Sequence, residues 1–276
     1  MIHYDLHCHS TRSDGLLSPT EVVRRAAMRG VEVLALTDHD EIVGLDEARE
    51  AAREAGIVFV DGCEVSVTWR NTTIHVVALG IDATNAVLAK GLADVRQGRD
   101  ARARRIGEAL AEAGIPNALD GALAYVTSER LVSRTHFARH LIDAGHARDM
   151  KDAFRRYLTP GNPGYVAHRW PELAQAVAWI HGAGGQAVIA HPGRYKLDAA
   201  ARRALFAEFR DLGGDAIEVV SPSHDASQFG EFAALARALG LAASCGTDFH
   251  GEGESRFDFG ELPPLPAGTV PVWANW

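Results

Sequence analysis

The chain has 276 residues, of which 47% are hydrophobic and 23% charged, as in an ordinary globular protein. Its net charge of −8 gives no overall attraction for nucleic acid or phosphate, so an anionic substrate would have to be bound by local positive charge. Three widely spaced cysteines, no signal-like N-terminus and no apolar run of about 18 residues exclude a disulfide framework and predict a cytoplasmic protein without membrane association.

The first predicted strand, residues 2–10, carries two histidines on one face. Side chains alternate along a strand, so His7 and His9 point the same way, about 7 Å apart. Asp14 follows in a Ser-Asp-Gly turn that can fold its carboxylate back over the strand end. Two imidazoles and a carboxylate are typical ligands of a transition metal, although a hydrogen-bonded histidine pair has the same pattern.

Helices and strands then alternate, with polar residues at the strand ends. In chain order we predict a helix at 18–30, a strand at 31–37, a helix at 45–55, and strands at 57–60 and 72–79. This order is typical of a parallel α/β architecture. In barrels of that class the active site lies at the carboxyl ends of the strands.

Residues 99–167 are predicted to be mainly helical. They contain Ala-, Arg- and Glu-rich stretches and, near their end, a Pro- and Gly-rich loop at 159–164. We interpret 99–167 as a helical insertion that could cap a substrate, flanked by 1–98 and 168–276. The alternation resumes with a helix at 171–181, a strand at 186–190, a helix at 198–212, a strand at 216–220, a helix at 225–239 and a strand at 242–245.

Nine potential metal ligands stand at the ends of the predicted strands. They are His7, His9, Asp14, His39, Glu64, His75, His191, Asp248 and His250. Each alone has an ordinary explanation, such as a turn or a satisfied core histidine. Nine at one edge of a sheet are harder to explain separately. Nitrogen and oxygen ligands without a thiolate set suit Mn²⁺, Fe²⁺ or Zn²⁺, and their number favours two or three ions.

The motifs around these residues resemble the PHP (polymerase and histidinol phosphatase) family. They are His7-x-His9 with Ser13-Asp14-Gly15, Leu36-Thr37-Asp38-His39-Asp40, Glu64, His75, Ala190-His191-Pro192 and Gly246-Thr247-Asp248-x-His250. The resemblance implies a distorted (β/α)7 barrel, a phosphoesterase site with two or three metal ions, and the nine residues as its ligands. Manganese is the first choice of metal, with iron or zinc as alternatives. The helical insertion resembles that of small bacterial phosphatases acting on 3′,5′-nucleoside bisphosphates, some relatives of which remove nucleotides from RNA 5′ ends.

Phosphoryl transfer also needs an activated water, cationic contacts and a proton donor. Paired cations can generate a bridging hydroxide as nucleophile, while arginines bind the phosphoryl oxygens. The candidate substrate contacts are Ser133, Arg134 and His136 in the insertion, Arg194 three residues after His191, and Arg102 and Arg105, three apart on one helix face. A solvated helix face is the alternative for these arginines. Asp40 and His224 are the two candidate proton donors, between which the sequence does not choose.

The leading hypothesis is a phosphomonoesterase that converts a 3′,5′-nucleoside bisphosphate, such as adenosine 3′,5′-bisphosphate, to the 5′-monophosphate and phosphate. One alternative is a histidinol-phosphate phosphatase, although a cationic substrate suits the Arg-rich insertion poorly. Another is a 5′–3′ exoribonuclease on short RNA. A nucleotide-binding module is the non-enzymatic alternative, which the complete ligand set opposes. No obligate protein partner is evident.

Overall fold

The apolar runs of the sequence form one seven-stranded sheet whose order follows the chain, β1 to β7. The computed structural model describes residues 2–127 and 131–276. The strands are β1 Tyr4–Asp5, β2 Val33–Leu36, β3 Val58–Trp69, β4 Thr72–Leu79, β5 Gln186–Ile189, β6 Ala216–Val220 and β7 Ala242–Cys245. The Leu6 N–H donates to the Cys245 carbonyl, and the Asp248 N–H donates to the His7 carbonyl. These bonds join the first strand to the last and nearly close the sheet into a barrel.

Local signals in the sequence account for the limits of the helices. Ser18 and Glu21 form a capping box at the start of α1, with Pro19 as the first helical residue. Gly56 ends α2 in the left-handed conformation, at φ 73°. The α-helices are α1 Pro19–Met28, α2 Leu45–Ala55, α3 Ala86–Glu112, α4 Ala118–Leu123, α5 Arg134–Asp143, α6 Met150–Ala153, α7 Leu173–Gly182, α8 Ala199–Asp211 and α9 Ala226–Leu239, with a π-helical turn at Phe154–Leu158 and a 3₁₀ turn at Pro192–Arg194.

A long hairpin of β3 and β4 is the main departure from the sequence prediction. The strand expected to end at residue 60 continues to Trp69, and β4 runs antiparallel to both of its neighbours. The chain reverses at Arg70, which has φ 53°. The prediction of an all-parallel sheet was therefore wrong, and Glu64 and His75 lie inside their strands rather than at strand ends. The hydrophobic alternation after Glu64 supports this extension, because one face of the hairpin is buried.

The barrel interior is filled by apolar side chains up to the level where the polar cluster begins. Along β2, Val33 and Ala35 point into the barrel, whereas Leu34 and Leu36 pack against the surrounding helices. Val272 comes from the C-terminal segment, where its N–H donates to the Ala243 carbonyl, and contributes to the interior core. The strands are thereby held firmly beneath the polar residues that follow them.

Helix α3 connects two hydrophobic cores. Its 27 residues span about 40 Å at 1.5 Å per residue. Leu88 and Leu92 near its start pack in the core between barrel and helices. Ile106 and Leu110 near its end belong to a second core with residues of α4, α5 and the π-helical turn. The predicted limit at residue 99 thus falls within a continuous helix, between the parts that serve the two cores.

Candidate metal centre

All nine predicted ligand residues lie together at one mouth of the barrel. They form four overlapping groups, and in each group one potential ligand atom per residue lies within 4.8 Å of the others. The groups are His9, Asp14, His39 and His250; His7, His9 and Asp248; His7, Glu64 and His191; and His39, Glu64 and His75. The groups share members, so the cluster is continuous.

Glu64 is the hub of the cluster. One carboxylate oxygen, Oε1, lies 2.9 Å from His75 Nδ1 and 2.9 Å from His191 Nε2. The other, Oε2, lies 2.9 Å from His39 Nδ1 and 3.4 Å from His7 Nε2. Burial opposes ionisation of Glu64, but the neighbouring imidazoles hold its pKa well below the ordinary value. The hairpin of β3 and β4, which the sequence analysis did not predict, thus places the Glu64 carboxylate among four histidines.

The buried polar atoms of the cluster fit divalent cations. Five of them make no hydrogen bond of suitable angle within the described residues, although Glu64 Oε2 and His39 Nδ1 lie 2.9 Å apart: Asp14 Oδ1, His39 Nδ1, Glu64 Oε2, His191 Nδ1 and Asp248 Oδ1. Buried polar atoms without partners cost free energy, so several together point to a missing ligand. Imidazole nitrogen and carboxylate oxygen are donors that Mn²⁺, Fe²⁺ and Zn²⁺ accept. The donor set is larger than one ion requires.

The histidines of the cluster differ in their affinity for protons. Burial lowers the pKa of His9 and of His191 to about 3, so both are neutral at neutral pH and can donate a lone pair. Burial also opposes charge on His7 and His250, but nearby carboxylates raise the pKa of His7 well above its ordinary value, and Asp14 raises that of His250 to about 9. Binding of a cation by His7 and His250 would therefore release protons from these two rings.

Two carboxylates that the sequence analysis did not assign orient the cluster. Glu218 on β6 accepts a hydrogen bond from His7 Nδ1 at 3.1 Å and another from the His191 N–H. Because Nδ1 is bound in this way, Nε2 of His7 faces the other ligands. Asp38 accepts from the Ser10 N–H at 2.8 Å and the Ser13 hydroxyl at 2.5 Å, which shapes the loop that carries Asp14. A charged residue in the otherwise apolar strand Ala216–Val220 was the available signal for Glu218.

Asp40, a predicted proton donor, is bound on both carboxylate oxygens. Oδ1 accepts from the Ser66 N–H at 2.7 Å, and Oδ2 accepts from the Ser66 hydroxyl at 2.9 Å and from Arg99 Nε at 2.6 Å. The Asp40 carbonyl also accepts from Arg96 at 2.7 Å. These contacts fasten α3 to the barrel beside the cluster. They give no support to a proton-donating role.

His224, the other predicted donor, is bound by backbone groups on both ring nitrogens. Nδ1 lies 3.0 Å from the Val219 carbonyl oxygen and must carry the proton, while Nε2 accepts from the Gly193 N–H at 2.9 Å. Burial lowers its pKa to about 4, so the ring is neutral. A side chain at Gly193 would have its Cβ 2.5 Å from His224 Cδ2, so only glycine fits there. His224 therefore holds the 3₁₀ turn that leads to Arg194.

Three of the four predicted arginines, Arg194, Arg102 and Arg134, form a group at the rim of the cluster. Arg194 reaches the cluster, with Nη1 2.8 Å from Asp248 Oδ2. Arg102 and Arg134 donate to the carbonyls of Val166 and Leu158, and neither pairs with a carboxylate within the described ranges. Burial and neighbouring guanidinium groups lower the pKa of Arg102 to about 9 and that of Arg134 to about 10. Both remain cationic at neutral pH, which favours an anion beside them.

The remaining predicted substrate contacts are Ser133 and His136, which lie at the start of α5, and Arg105, which lies on α3. The Ser133 hydroxyl accepts from the Thr135 N–H at 3.0 Å, and His136 Nδ1 accepts from the Ser133 N–H at 3.1 Å, so both side chains cap α5. Burial lowers the pKa of His136 to about 4, and because Nδ1 accepts a hydrogen bond, the proton of the neutral ring lies on Nε2. Arg105 is exposed, and its Nε lies 3.4 Å from the Ala101 carbonyl of its own helix. The structure thus places Arg105 on a solvated face.

The chain is similar to known proteins along nearly its whole length. A 3′,5′-nucleoside bisphosphate phosphatase from Chromobacterium violaceum is 50% identical over 273 residues, which cover 99% of this chain and 96% of that protein. A 5′-3′ exoribonuclease from Haemophilus influenzae is 43% identical, with coverage of 99% and 98%. A solved structure of a C. violaceum protein described as an amidohydrolase, with bound sulfate and no metal, is 50% identical, with coverage of 98% and 94% and a TM-score of 0.95.

The family assignment rests on residues 5–159, which match the PHP domain. Across 2–127 and 131–276, none of the helices combines the length and the apolar character that crossing a membrane requires. The mixed, nearly closed barrel confirms the fold class predicted from the sequence. On the evidence of the domain match and of relatives that share up to half of its residues, the chain belongs to the PHP domain family.

Proposed function

We propose that this protein is a metal-dependent phosphomonoesterase that hydrolyses 3′,5′-nucleoside bisphosphates, such as adenosine 3′,5′-bisphosphate, to nucleoside 5′-monophosphates and phosphate. The observation that carries the proposal is the pairing of a nitrogen and oxygen cluster with two rim arginines, Arg102 and Arg134, that contact no carboxylate of the described residues. A substrate with two phosphates offers one to each region. The C. violaceum phosphatase, 50% identical over its length, acts on this class of substrate.

The nine clustered residues are the proposed ligands of two or three divalent cations, with manganese as the first choice and iron or zinc as alternatives. When bound, such cations lower the pKa of coordinated water and stabilise charge on the phosphoryl group. The protein keeps the ligands oriented for this task. Glu218 fixes the ring of His7, and Asp38 fixes the loop of Asp14, so that neither ligand must be ordered when the ion arrives.

In this proposal the substrate is held by groups of the barrel and by groups of the helical unit (residues 99–167). Arg194 can move its guanidinium from Asp248 to a phosphoryl oxygen, because its side chain is half exposed. Arg134 and Arg102 are proposed to bind the second phosphate, with Ser133 at the start of α5 as a further contact. Asp40 and His224 act through their neighbours: the former holds Arg99, and the latter holds the turn before Arg194.

The test is phosphate release by the purified, manganese-loaded enzyme from a substrate panel. The panel contains adenosine 3′,5′-bisphosphate, 3′-AMP, 5′-AMP, histidinol phosphate and a short 5′-phosphorylated RNA. We expect a higher kcat/KM for the bisphosphate than for either monophosphate, and no release after chelation of the metal. Turnover of histidinol phosphate alone would contradict the substrate assignment.

A 5′–3′ exoribonuclease activity on short RNA is the second candidate. The similarity to the H. influenzae exoribonuclease over 99% of this chain favours it. So does the position of Arg102 beside the cluster, with Arg105 one turn further along α3 towards solvent, where a longer strand would pass. Release of mononucleotides from the labelled RNA of the same panel would establish it.

We further propose that residues 99–167 cap the substrate and that the protein works in the cytoplasm without an obligate protein partner. The second hydrophobic core supports the former, because it gives the helices a scaffold of their own. Composition supports the latter, since the cysteines are few and all three are free and buried. Fractionation of the cells that produce the protein, and its mass in solution, test this assignment.

A further inference from the structure

Arg139 is a buried cation of the helical unit that reaches the ligand-bearing loops of the barrel. Its Nη2 lies 2.7 Å from the backbone carbonyl oxygen of Asp14. Nε and Nη2 also donate to the two carboxylate oxygens of Glu254, at 2.9 and 2.8 Å. This is a bidentate pair between two groups that are only 6% and 16% exposed. Such pairs fix relative orientation as well as distance.

Both partners of Arg139 are close in the chain to proposed metal ligands. Asp14 is itself one of them, and its Oδ1 lies 3.3 Å from His250 Nε2. Glu254 lies four residues after His250, in a turn where the His250 N–H donates to the Ser255 hydroxyl at 3.0 Å. A single guanidinium therefore joins the two loops that carry Asp14 and His250.

The helix that carries Arg139 also carries a proposed phosphate contact. Arg134 is the first residue of α5, and Arg139 is five residues further along. Because an α-helix rises 1.5 Å per residue, the two positions are about 7.5 Å apart along a rigid axis. Fastening Arg139 to the ligand loops thus also fixes the place of Arg134 relative to the cluster.

We propose that Arg139 is a positioning residue that sets the spacing between the metal cluster and Arg134, and thereby selects substrates with a second phosphate. The inference rests on the proposed function. Arg139 needs no contact with the substrate in this role. It acts through α5, whose N-terminus presents Arg134, and through the loops of Asp14 and His250. Hydrolysis of a monophosphate does not use that spacing, so it should depend little on Arg139.

The experiment compares Arg139→Lys, Arg139→Gln and Glu254→Gln with the parent enzyme in the manganese-loaded state. We expect the ratio of kcat/KM for adenosine 3′,5′-bisphosphate to that for 3′-AMP to fall about tenfold or more, through KM for the bisphosphate, since displacement of about 1 Å costs up to a hundredfold. In the double variant Arg139→Gln/Glu254→Gln, the ratio should fall no further than in either single variant, because both substitutions break the same ion pair. Arg148→Gln, an exposed arginine of the same helical unit, is the matched control.

Hydrogen exchange of the same loaded proteins gives a readout that needs no substrate. The Arg139 variants should exchange faster in 134–143 and 250–255 than the control, and equally in the barrel strands. An unchanged ratio of substrates, or an equal loss on both substrates together with loss of metal, would overturn the proposal. If the parent enzyme shows no preference for the bisphosphate, the proposed function fails. In that case hydrogen exchange still tests whether Arg139 holds α5 against the ligand loops. Faster exchange in the Arg139 variants supports this positioning, and unchanged exchange overturns it.

Discussion

The barrel mouth and the helical unit handle charge in opposite ways. At the mouth, imidazoles surround a buried carboxylate, and the whole cluster is locked by groups on neighbouring strands. In the helical unit, Arg102 and Arg134 are cations that pair with no carboxylate in 2–127 or 131–276 and lie next to carbonyl oxygens and aromatic rings. The first region offers donors that suit cations, and the second offers charge that suits an anion. Under the proposed function, the comparison teaches that the chemistry and the choice of substrate belong to separate parts of the fold.

The largest effect should come from Glu64→Gln, which neutralises the hub of the cluster. We expect metal content to fall and kcat/KM to drop by more than about 100-fold, because even residues that only orient ligands account for 10- to 100-fold. Metal analysis and phosphate release on the same preparation measure both. Glu54→Gln, an exposed glutamate on α2, is the control. Full metal content with normal turnover would show that the hub is dispensable.

Substitution of a residue that orients a ligand, rather than of a ligand itself, should lower the affinity for the metal without abolishing binding. Glu218→Gln keeps the shape of the side chain but offers His7 Nδ1 a weaker acceptor. We expect manganese affinity to fall about 10- to 100-fold, with turnover restored at high manganese. A metal titration monitored by activity and by calorimetry distinguishes this from a loss of folding. Turnover that stays low at saturating metal would contradict the orienting role.

A change in the helical unit should have the reverse signature. Arg134→Ala should leave metal content intact and raise KM for the bisphosphate about 10- to 100-fold, since a hydrogen bond to a charged group contributes about 1.5–3 kcal/mol. Arg104→Ala, an exposed arginine on α3, is the control. If Arg134→Ala loses metal as Glu64→Gln does, the separation between the two regions is wrong.

The smallest effect is expected at His224, which acts on the barrel mouth through the turn before Arg194. Its pKa of about 4 lies below that of an unfolded histidine, so the unfolded chain binds more protons between pH 6.5 and 4, and stability is lost as pH falls through that range. This costs at most about 3 kcal/mol at the acid end. His224→Asn should reduce the pH dependence of urea unfolding and lower kcat/KM only a few fold. An identical pH dependence would rule out a neutral, buried ring.

The sequence was sufficient to predict that the nine candidate ligands lie together, because many of the signals are local. The alternation in His7-x-His9, and turns such as the one around Asp14, bring side chains together without long-range information. The hairpin was not predictable in the same way. The segment before Glu64 contains a glycine and has the composition of a strand end, whereas the pairing with β4 that extends it depends on tertiary context.

The supporting contacts were missed for a related reason. Asp40 and Arg99 are 59 residues apart, and His224 and Gly193 are 31 apart, so nothing in either local pattern announces the partner. A titratable side chain beside a motif is therefore easily mistaken for an acid or base, when its bonds are already taken by the backbone or by an arginine. The roles of the rim arginines depend on the packing of α3 against α4 and of α4 against α5, which no short pattern encodes.

The antiparallel hairpin also has a consequence for how such a protein can diverge. Glu64 and His75 belong to paired strands and not to loops, so they form a floor that insertions and deletions cannot easily reach. The helices of residues 99–167 have their own core, and they are joined to the barrel by Arg99, which binds Asp40 and Ser66, and by Arg139, which binds Asp14 and Glu254. Substitutions among these helices can therefore change the surface above the cluster while the paired strands keep Glu64 and His75 in place. Replacement of these helices by those of another protein would need to keep the contacts of Arg99 and Arg139.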